Sequence, residues 1–340
     1  MRRICLALVM TVLLLLTMEG MKNAGLLAQN GRSISIRYRE PLPQETVQAA
    51  KEKIPGLTFW TEEEGTVSSG LRTAESRLLW YWGESALVLG DTCISGQTPA
   101  ALDTNGCAVS TALAWELFGS QDVVGLTLSP EKGREYTVRG VFESRDCLAL
   151  IPRKDSSFKA VELEATEETR ENPETWVASL LQESGLPEPQ WTLNTFAVSE
   201  LGKFLAWLPL LFGGAAAGVA LIKGAARWNY PVRDIAFFAL FLGAGLALTI
   251  FLEKWPSWLT PSRWSDFSWW GVTAGKIREE MEAFLVAPGM GRDLAVKTGI
   301  LKQAGIALAQ GILCEVLRCG FRPKVLEVRK GSELTAMEKN

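Results

Sequence analysis

The sequence predicts an α+β domain carried on three or four membrane helices, and three observations predict it. Two long stretches, Phe204 to Ile222 and Ile235 to Leu252, contain no charged residue, and at ~1.5 Å rise per residue each nearly matches the ~30 Å hydrocarbon thickness of a bilayer. The chain opens with Arg2 and Arg3 ahead of an apolar run from Ile4 to Met18. Between these regions, residues 19–203 scatter charges throughout and switch between the two-residue period of strands and the 3.6-residue period of helices. A chain of 340 residues has room for about two domains.

Taken in order, residues 1–18 fit either a cleavable signal or an uncleaved anchor. The anchor is adopted because the candidate cleavage positions Ala24 and Ala28 have Lys22 and Leu26, not small residues, two places before them. In "SISIRYRE", Ile34, Ile36 and Tyr38 alternate with Ser35, Arg37 and Arg39, which predicts a strand with one wet face. A helix follows Pro43, with Val47, Ala50 and Ile54 on one stripe, and "LTFW" at 57–60 resumes an extended segment. A second β-α-β unit follows the same grammar: Val161, Leu163 and Ala165 alternate, Asn172 and Pro173 open a helix striped by Trp176, Leu180 and Ser184, and "WTLNTF" at 191–196 returns to strand. Two such units around an insertion predict split β-α-β units with an inserted β-rich module. In that module, Ala112 to Phe118 reads as a helix stopped by Gly119, Gly125 permits a turn, Leu126 and Leu128 begin a strand, and Gly133 turns it into "REYTVRGVF", where Tyr136 and Val138 share a face.

Beyond this 19–203 domain come transmembrane helices at 204–222 and 235–252, joined by the 223–234 loop with Lys223, Arg227 and Arg233. Basic residues there and at Arg2 and Arg3 place the loop and the amino terminus in the cytoplasm and the large domain outside. Residues 253–297 form a Trp-rich and amphipathic segment around Ile277, Met281 and Phe284. Trp255, Trp258, Trp264, Trp269 and Trp270 are read as interfacial anchors to membrane lipids, with a docking ridge as the alternative. A fourth span at 298–317 contains Lys302 and Glu315, and the 318–340 tail behind it begins with Arg318, Arg322 and Lys324. Gly214 and Gly218 in "GAAAG" permit close helix packing, within the chain or in a homodimer.

Six cysteines show no metal-type spacing, and no histidine is present to serve as ligand or base. Cys93 and Cys107 are the pair best spaced for a disulfide, which would contribute ~3 kcal/mol, with free buried thiols as the equal alternative. No cofactor, metal site or nucleic-acid partner is expected, and no nucleophile–base pair stands out. The acids Glu62, Glu63 and Glu64 read as a solvated face.

From "ALVLGDT" at 86–92, through "STALAWELFGSQDVVGLTL" at 110–128, to "YTVRGVF" at 136–142, the chain resembles the MacB-like periplasmic core domain of the FtsX-like ABC transporter permease group. The shared pattern is a hydrophobic strand ending in glycine, a helix ending Leu-Phe-Gly, an Asp followed by a glycine, and a closing Tyr-Thr-Val-x-Gly-Val strand. The resemblance implies a noncatalytic permease-like subunit whose domain sits between the first two membrane helices and whose motion comes from a cytoplasmic ATPase. The phosphate-cradling G-x-x-x-x-G-K-[ST] loop is absent, so that ATPase is expected on a separate chain, with Lys223, Arg227 and Arg233 as its contact or as simple topological anchors. A related permease subunit is a further expected partner. An envelope scaffold that keeps the domain without an ATPase is the alternative.

Overall fold

The computed structural model describes residues 2–70, 72–89, 93–100, 102–131, 134–166, 169, 173–255, 259–260, 265, 267–287 and 289–320. It divides into two compact units: Met1–Ala24 with Lys203–Trp255 and Lys302–Asn340, and Gly25–Gly202 with Pro256–Leu301.

The second unit is a mixed α+β domain. Its sheet has ten strands: β1 (Ser33–Arg37), β2 (Thr58–Ser69), β3 (Arg72–Trp82), β4 (Cys93–Gly96), β5 (Gly106–Ser110), β6 (Thr127–Glu131), β7 (Arg134–Phe142), β8 (Leu148–Pro152), β9 (Ala160–Glu164) and β10 (Trp191–Asn194). The spatial order is β10-β1-β9-β2-β3-β8-β5-β7-β4, with β6 beside β2 and β7. After α1 (Arg2–Asn30), the domain's helices are α2 (Gln44–Lys53), α3 (Ala86–Leu89), α4 (Thr111–Phe118) and α5 (Pro173–Ser184). The units β1-α2-β2 and β9-α5-β10 are both split: β9 lies between β1 and β2, and β1 lies between β9 and β10. Val47 and Ala50 of α2 and Val177 and Leu180 of α5 bury against Ile34, Ile36 and Phe59 to form one core.

The hairpin β2–β3 pairs Phe59 with Trp82 at one end and Ser69 with Arg72 at the other. It carries the sheet out of the split units into the inserted half. There α4 packs Leu113, Ala114 and Leu117 onto Val109, Leu128, Tyr136 and Val138. The Ser110 side chain caps α4 by accepting from the Leu113 N–H, and Gly119 closes the helix at φ 72°.

Three expectations are corrected here. The segment at 86–90 begins as the short helix α3, not a strand; Leu87 and Val88 are buried. Strand β1 has no wet face, because all five of its residues are buried between neighbours on both edges and cover on both faces. Cys93 and Cys107 carry free thiols. They sit on strands flanking β7, Cys93 opposite Phe142 and Cys107 opposite Val138. Two strand spacings of about 4.8 Å already separate them by more than the ~7 Å limit between the Cα atoms of a disulfide.

The remaining helices are α6 (Thr195–Ala225), α7 (Val232–Lys254), α8 (Phe267–Val286) and α9 (Gly291–Gly320). Among the described residues, four stretches are long and apolar enough to cross a membrane: Ala7–Asn30, Thr195–Ala225, Val232–Thr249 and Asp293–Leu317. Helices α1, α6 and α9 each extend beyond the apolar runs read from the sequence, since hydropathy marks a helix's greasy middle and not its polar turns. The amphipathic stripe at Ile277, Met281 and Phe284 falls on the covered side of α8.

Candidate functional site

Within the second unit, the ends of α1, α6 and α9 converge on the edge of the split β-α-β half, and the residues that hold them there form the candidate site. Leu27 of α1 is 2% exposed. A Cβ on Gly202 of α6 would stand 2.7 Å from its Cδ1, and one on Gly299 of α9 would stand 2.8 Å from its Cδ2. The leucine therefore fills a notch that exists because two facing helices carry hydrogen instead of methyl. Just beyond, a Cβ on Gly31 would be 2.6 Å from the Thr195 carbonyl oxygen, so the turn after α1 and the start of α6 touch backbone to backbone. The Thr195 hydroxyl donates to the Ser33 carbonyl at 2.6 Å, and the Asn194 side chain caps α6 by accepting from the Ala197 N–H.

Next to this notch lies a buried ionic clasp. The side chains of Arg37, Glu162 and Asp293 are 3%, 0% and 1% exposed. Strands β1 and β9 pair Ser35 with Glu162, which sets Ser33, Ser35 and Arg37 around one carboxylate. Glu162 accepts from the Ser33 and Ser35 hydroxyls at 2.6 and 2.7 Å and from Trp60 Nε1 at 3.0 Å, and it pairs with Arg37 Nη2 at 2.9 Å. Asp293, in the first turn of α9, accepts from Arg37 Nε at 3.3 Å and Nη2 at 3.0 Å, a two-pronged contact. The guanidinium also stacks over Trp60, 4.6 Å from the ring centroid. Burial pulls the Arg37 pKa down, but the two carboxylates outweigh it and hold the pKa above its ordinary value. The N-terminal end of α9 adds its own positive potential around Asp293.

One turn later, Lys297 Nζ donates to the Leu285 carbonyl at 3.2 Å and to that of Ala287, tying α9 to the end of α8. The first turns of α9 thus meet the sheet through Asp293, α8 through Lys297 and α1 through Gly299. Among the described residues, no group of three His, Cys, Asp or Glu side chains could hold a metal ion.

The residues singled out from the sequence fall elsewhere. Lys223 lies in the last turn of α6 and Arg227 in the connection that follows, both exposed; Arg233 opens α7 beside Asp234 at 3.3 Å. They share one short connection. Among the described residues, no atom lies within 4 Å of a Cβ added at Gly214 or Gly218. Trp255 makes edge-on contacts with Phe204 and Phe251 at 5.3 and 5.2 Å, and Trp269 and Trp270 meet edge-on at 4.9 Å. Trp258 and Trp264 lie outside the described residues. Burial pushes the Cys107 thiol up to about 12. The clasp and the notch were not foreseen. Their one local signal is an acid set among apolar strand residues in "AVELE".

No family model matches the chain, and no curated protein matches it. Among solved structures, it is similar to the periplasmic region of MacB from Actinobacillus actinomycetemcomitans, with 12% identity over 52% of this chain and 94% of that one and a TM-score of 0.41. It is also similar to the extracellular domain of the ABC-type transporter YknZ from Gram-positive bacteria, with 14% identity over 45% of this chain and 90% of that one and a TM-score of 0.35.

Proposed function

We propose that the chain is a noncatalytic, ABC-permease-like membrane subunit that passes movement of its membrane helices into an extracytoplasmic α+β domain. The observation that carries this reading is the threading of that domain between the first and second of four span-length helices, with three of the four ending at one notch and clasp. The motif order at 110–128 and 136–142 supports it, since those residues form α4, β6 and β7 as the resemblance implies. A helix is a stiff rod, so displacement of α9 relative to α1 has to shift Leu27 between its glycines or pull on the Arg37–Asp293 pair. Either route loads the sheet directly.

The drive comes from a separate cytoplasmic ATPase, for which Lys223, Arg227 and Arg233 offer the contact. Arg2, Arg3 and this loop lie in the cytoplasm, and Ser95 and Gln121 lie outside. The test is copurification of an ATPase from gently solubilised membranes, followed by Arg227→Gln with Arg233→Gln. Association should weaken while the domain stays folded and the orientation, checked by thiol labelling of single cysteines at 95, 121 and 227, is unchanged. Equal binding of mutant and wild type removes the loop as the contact. Finding no ATPase at all leaves an envelope scaffold as the function.

A further inference from the structure

In the first unit, α1 and α9 face each other through polar side chains that meet in pairs. Asn23 Nδ2 donates to Gln303 Oε1 at 2.9 Å in a buried contact. Gln310 Nε2 donates to Thr17 Oγ1 at 3.0 Å, and the Thr17 hydroxyl gives its own proton to the Leu13 carbonyl at 2.8 Å. Lys302 Nζ bonds Glu19 Oε1 at 2.6 Å. Between these rungs a Cβ on Gly20 would stand 3.3 Å from Ile306 Cγ2, tighter than ordinary contact, so the glycine lets the helices approach and a larger residue there needs the isoleucine to give slightly. The pairs run in opposite directions along the two helices, 17 with 310, 20 with 306 and 23 with 303, and the Leu27–Gly299 contact falls on the same register. Amides, hydroxyls and a charge pair are expensive in span-length helices without partners; each rung supplies one bond here, with Gln303 Nε2 and Gln310 Oε1 left buried and unbonded among the described residues, which makes the ladder specific to this pairing and register. By contrast, no described residue of 232–249 on α7 is buried.

We propose that α1 and α9 work as one antiparallel strut, locked in register by Thr17–Gln310, Asn23–Gln303 and Glu19–Lys302. The strut rests on the membrane reading of these helices and requires no ATPase, so its test stands or falls separately from that partner.

The experiment uses the full chain in native membranes, with its six cysteines replaced and a protease site in the 223–234 loop. Gly20→Cys with Ile306→Cys, oxidised by copper phenanthroline, should bridge nearly completely and hold the cleaved halves together; Gly20→Cys with Leu246→Cys should not. Adding Gln303→Met and Gln310→Met, which keep length and remain apolar, should slow bridging about fivefold, because two interhelical bonds of the modest strength found in membranes are lost. Glu19→Lys or Lys302→Glu alone should also slow it, and the two together should restore it. That swap serves as the fold-preserving check should the methionine variant misfold. Failure of the 20–306 pair to bridge overturns the adjacency. Bridging indifferent to the methionines and to the charge swap overturns the lock.

Discussion

Replacing Asp293 with alanine tests the clasp most directly. The substitution removes both bonds that Asp293 accepts from Arg37, while the guanidinium stays 3% exposed and keeps Glu162 as its remaining carboxylate. Breaking a buried ion pair by deleting one partner costs about 3–5 kcal/mol, chiefly because the other charge stays behind. The surviving Glu162 contact puts Asp293→Ala at the lower end, about 3 kcal/mol. For a domain of this size, each kcal/mol moves the midpoint by about 2–4 °C, so Tm should fall by about 6–12 °C. Temperature-dependent proteolysis of the full chain in detergent reads this without relying on tryptophan emission from membrane segments. Asp293→Asn, which keeps an acceptor and loses the charge, should fall between alanine and wild type. Replacing Arg37, Glu162 and Asp293 together by apolar residues removes the orphaned charge but takes the acceptor from Ser33, Ser35 and Trp60, so it should recover only part of the lost stability. A midpoint for Asp293→Ala within 1 °C of wild type would refute the idea that this contact bears load.

Gly31→Ala should cost about 1–3 kcal/mol, measured the same way, because the new methyl meets the Thr195 carbonyl at 2.6 Å and backbone cannot rotate aside as a side chain can. Ser110→Ala should cost about 1–2 kcal/mol in thermal or urea unfolding: its Oγ accepts from the N–H groups of both Leu113 and Leu148, one a helix cap and one a strand start. Cys93→Ser should change stability by less than 1 kcal/mol with or without reductant, where loss of a disulfide would cost about 2–5 kcal/mol. Burial and the neighbouring Glu116 push the Cys147 thiol from 9.0 to about 11. Only the thiolate alkylates, so at pH 8 iodoacetamide should modify Cys147 about a hundredfold more slowly than an ordinary exposed thiol, approaching that rate after denaturation.

The elements legible in the sequence are those whose signal is local. Both split β-α-β units, the stop of α4 at Gly119 and the shared face of Tyr136 and Val138 all follow from periodicity and chain punctuation. Strands β5 and β8 gave no such signal because all five residues of each are buried, and a strand covered on both faces does not alternate. The same effect misled the reading of β1, where Ser35 and Arg37 look like a solvent face but meet a carboxylate from β9. Arg37 and Asp293 lie 256 positions apart, and no spacing rule connects them. The glycines teach a related lesson. The spaced pair Gly214 and Gly218 has no described atom within 4 Å of an added Cβ, whereas the unremarked Gly202 and Gly299 define the notch. Only the partner side chain, Leu27, tells the two kinds apart.

The different chemistry of the two contacts at this junction has a mechanical consequence. A bilayer takes about 20 residues of helix, and α9 runs from Gly291 to Gly320, a length of about 45 Å at 1.5 Å per residue. About a third of α9 is therefore available to stand clear of the hydrocarbon, enough to include Asp293, Lys297 and Gly299. The apolar contact there, Leu27 between two glycines, tolerates sliding and rotation, because dispersion has little directional preference. The two-pronged Arg37–Asp293 contact does not: a one-turn shift of about 5.4 Å would separate the groups, leaving the Asp293 carboxylate without its partner and Arg37 with Glu162 alone. Small tilts of α9 about Asp293 keep the clasp closed, while axial slippage opens it. If α9 moves as proposed, the start of the helix is the point about which it can pivot without opening the clasp, with Leu27 rolling in its notch.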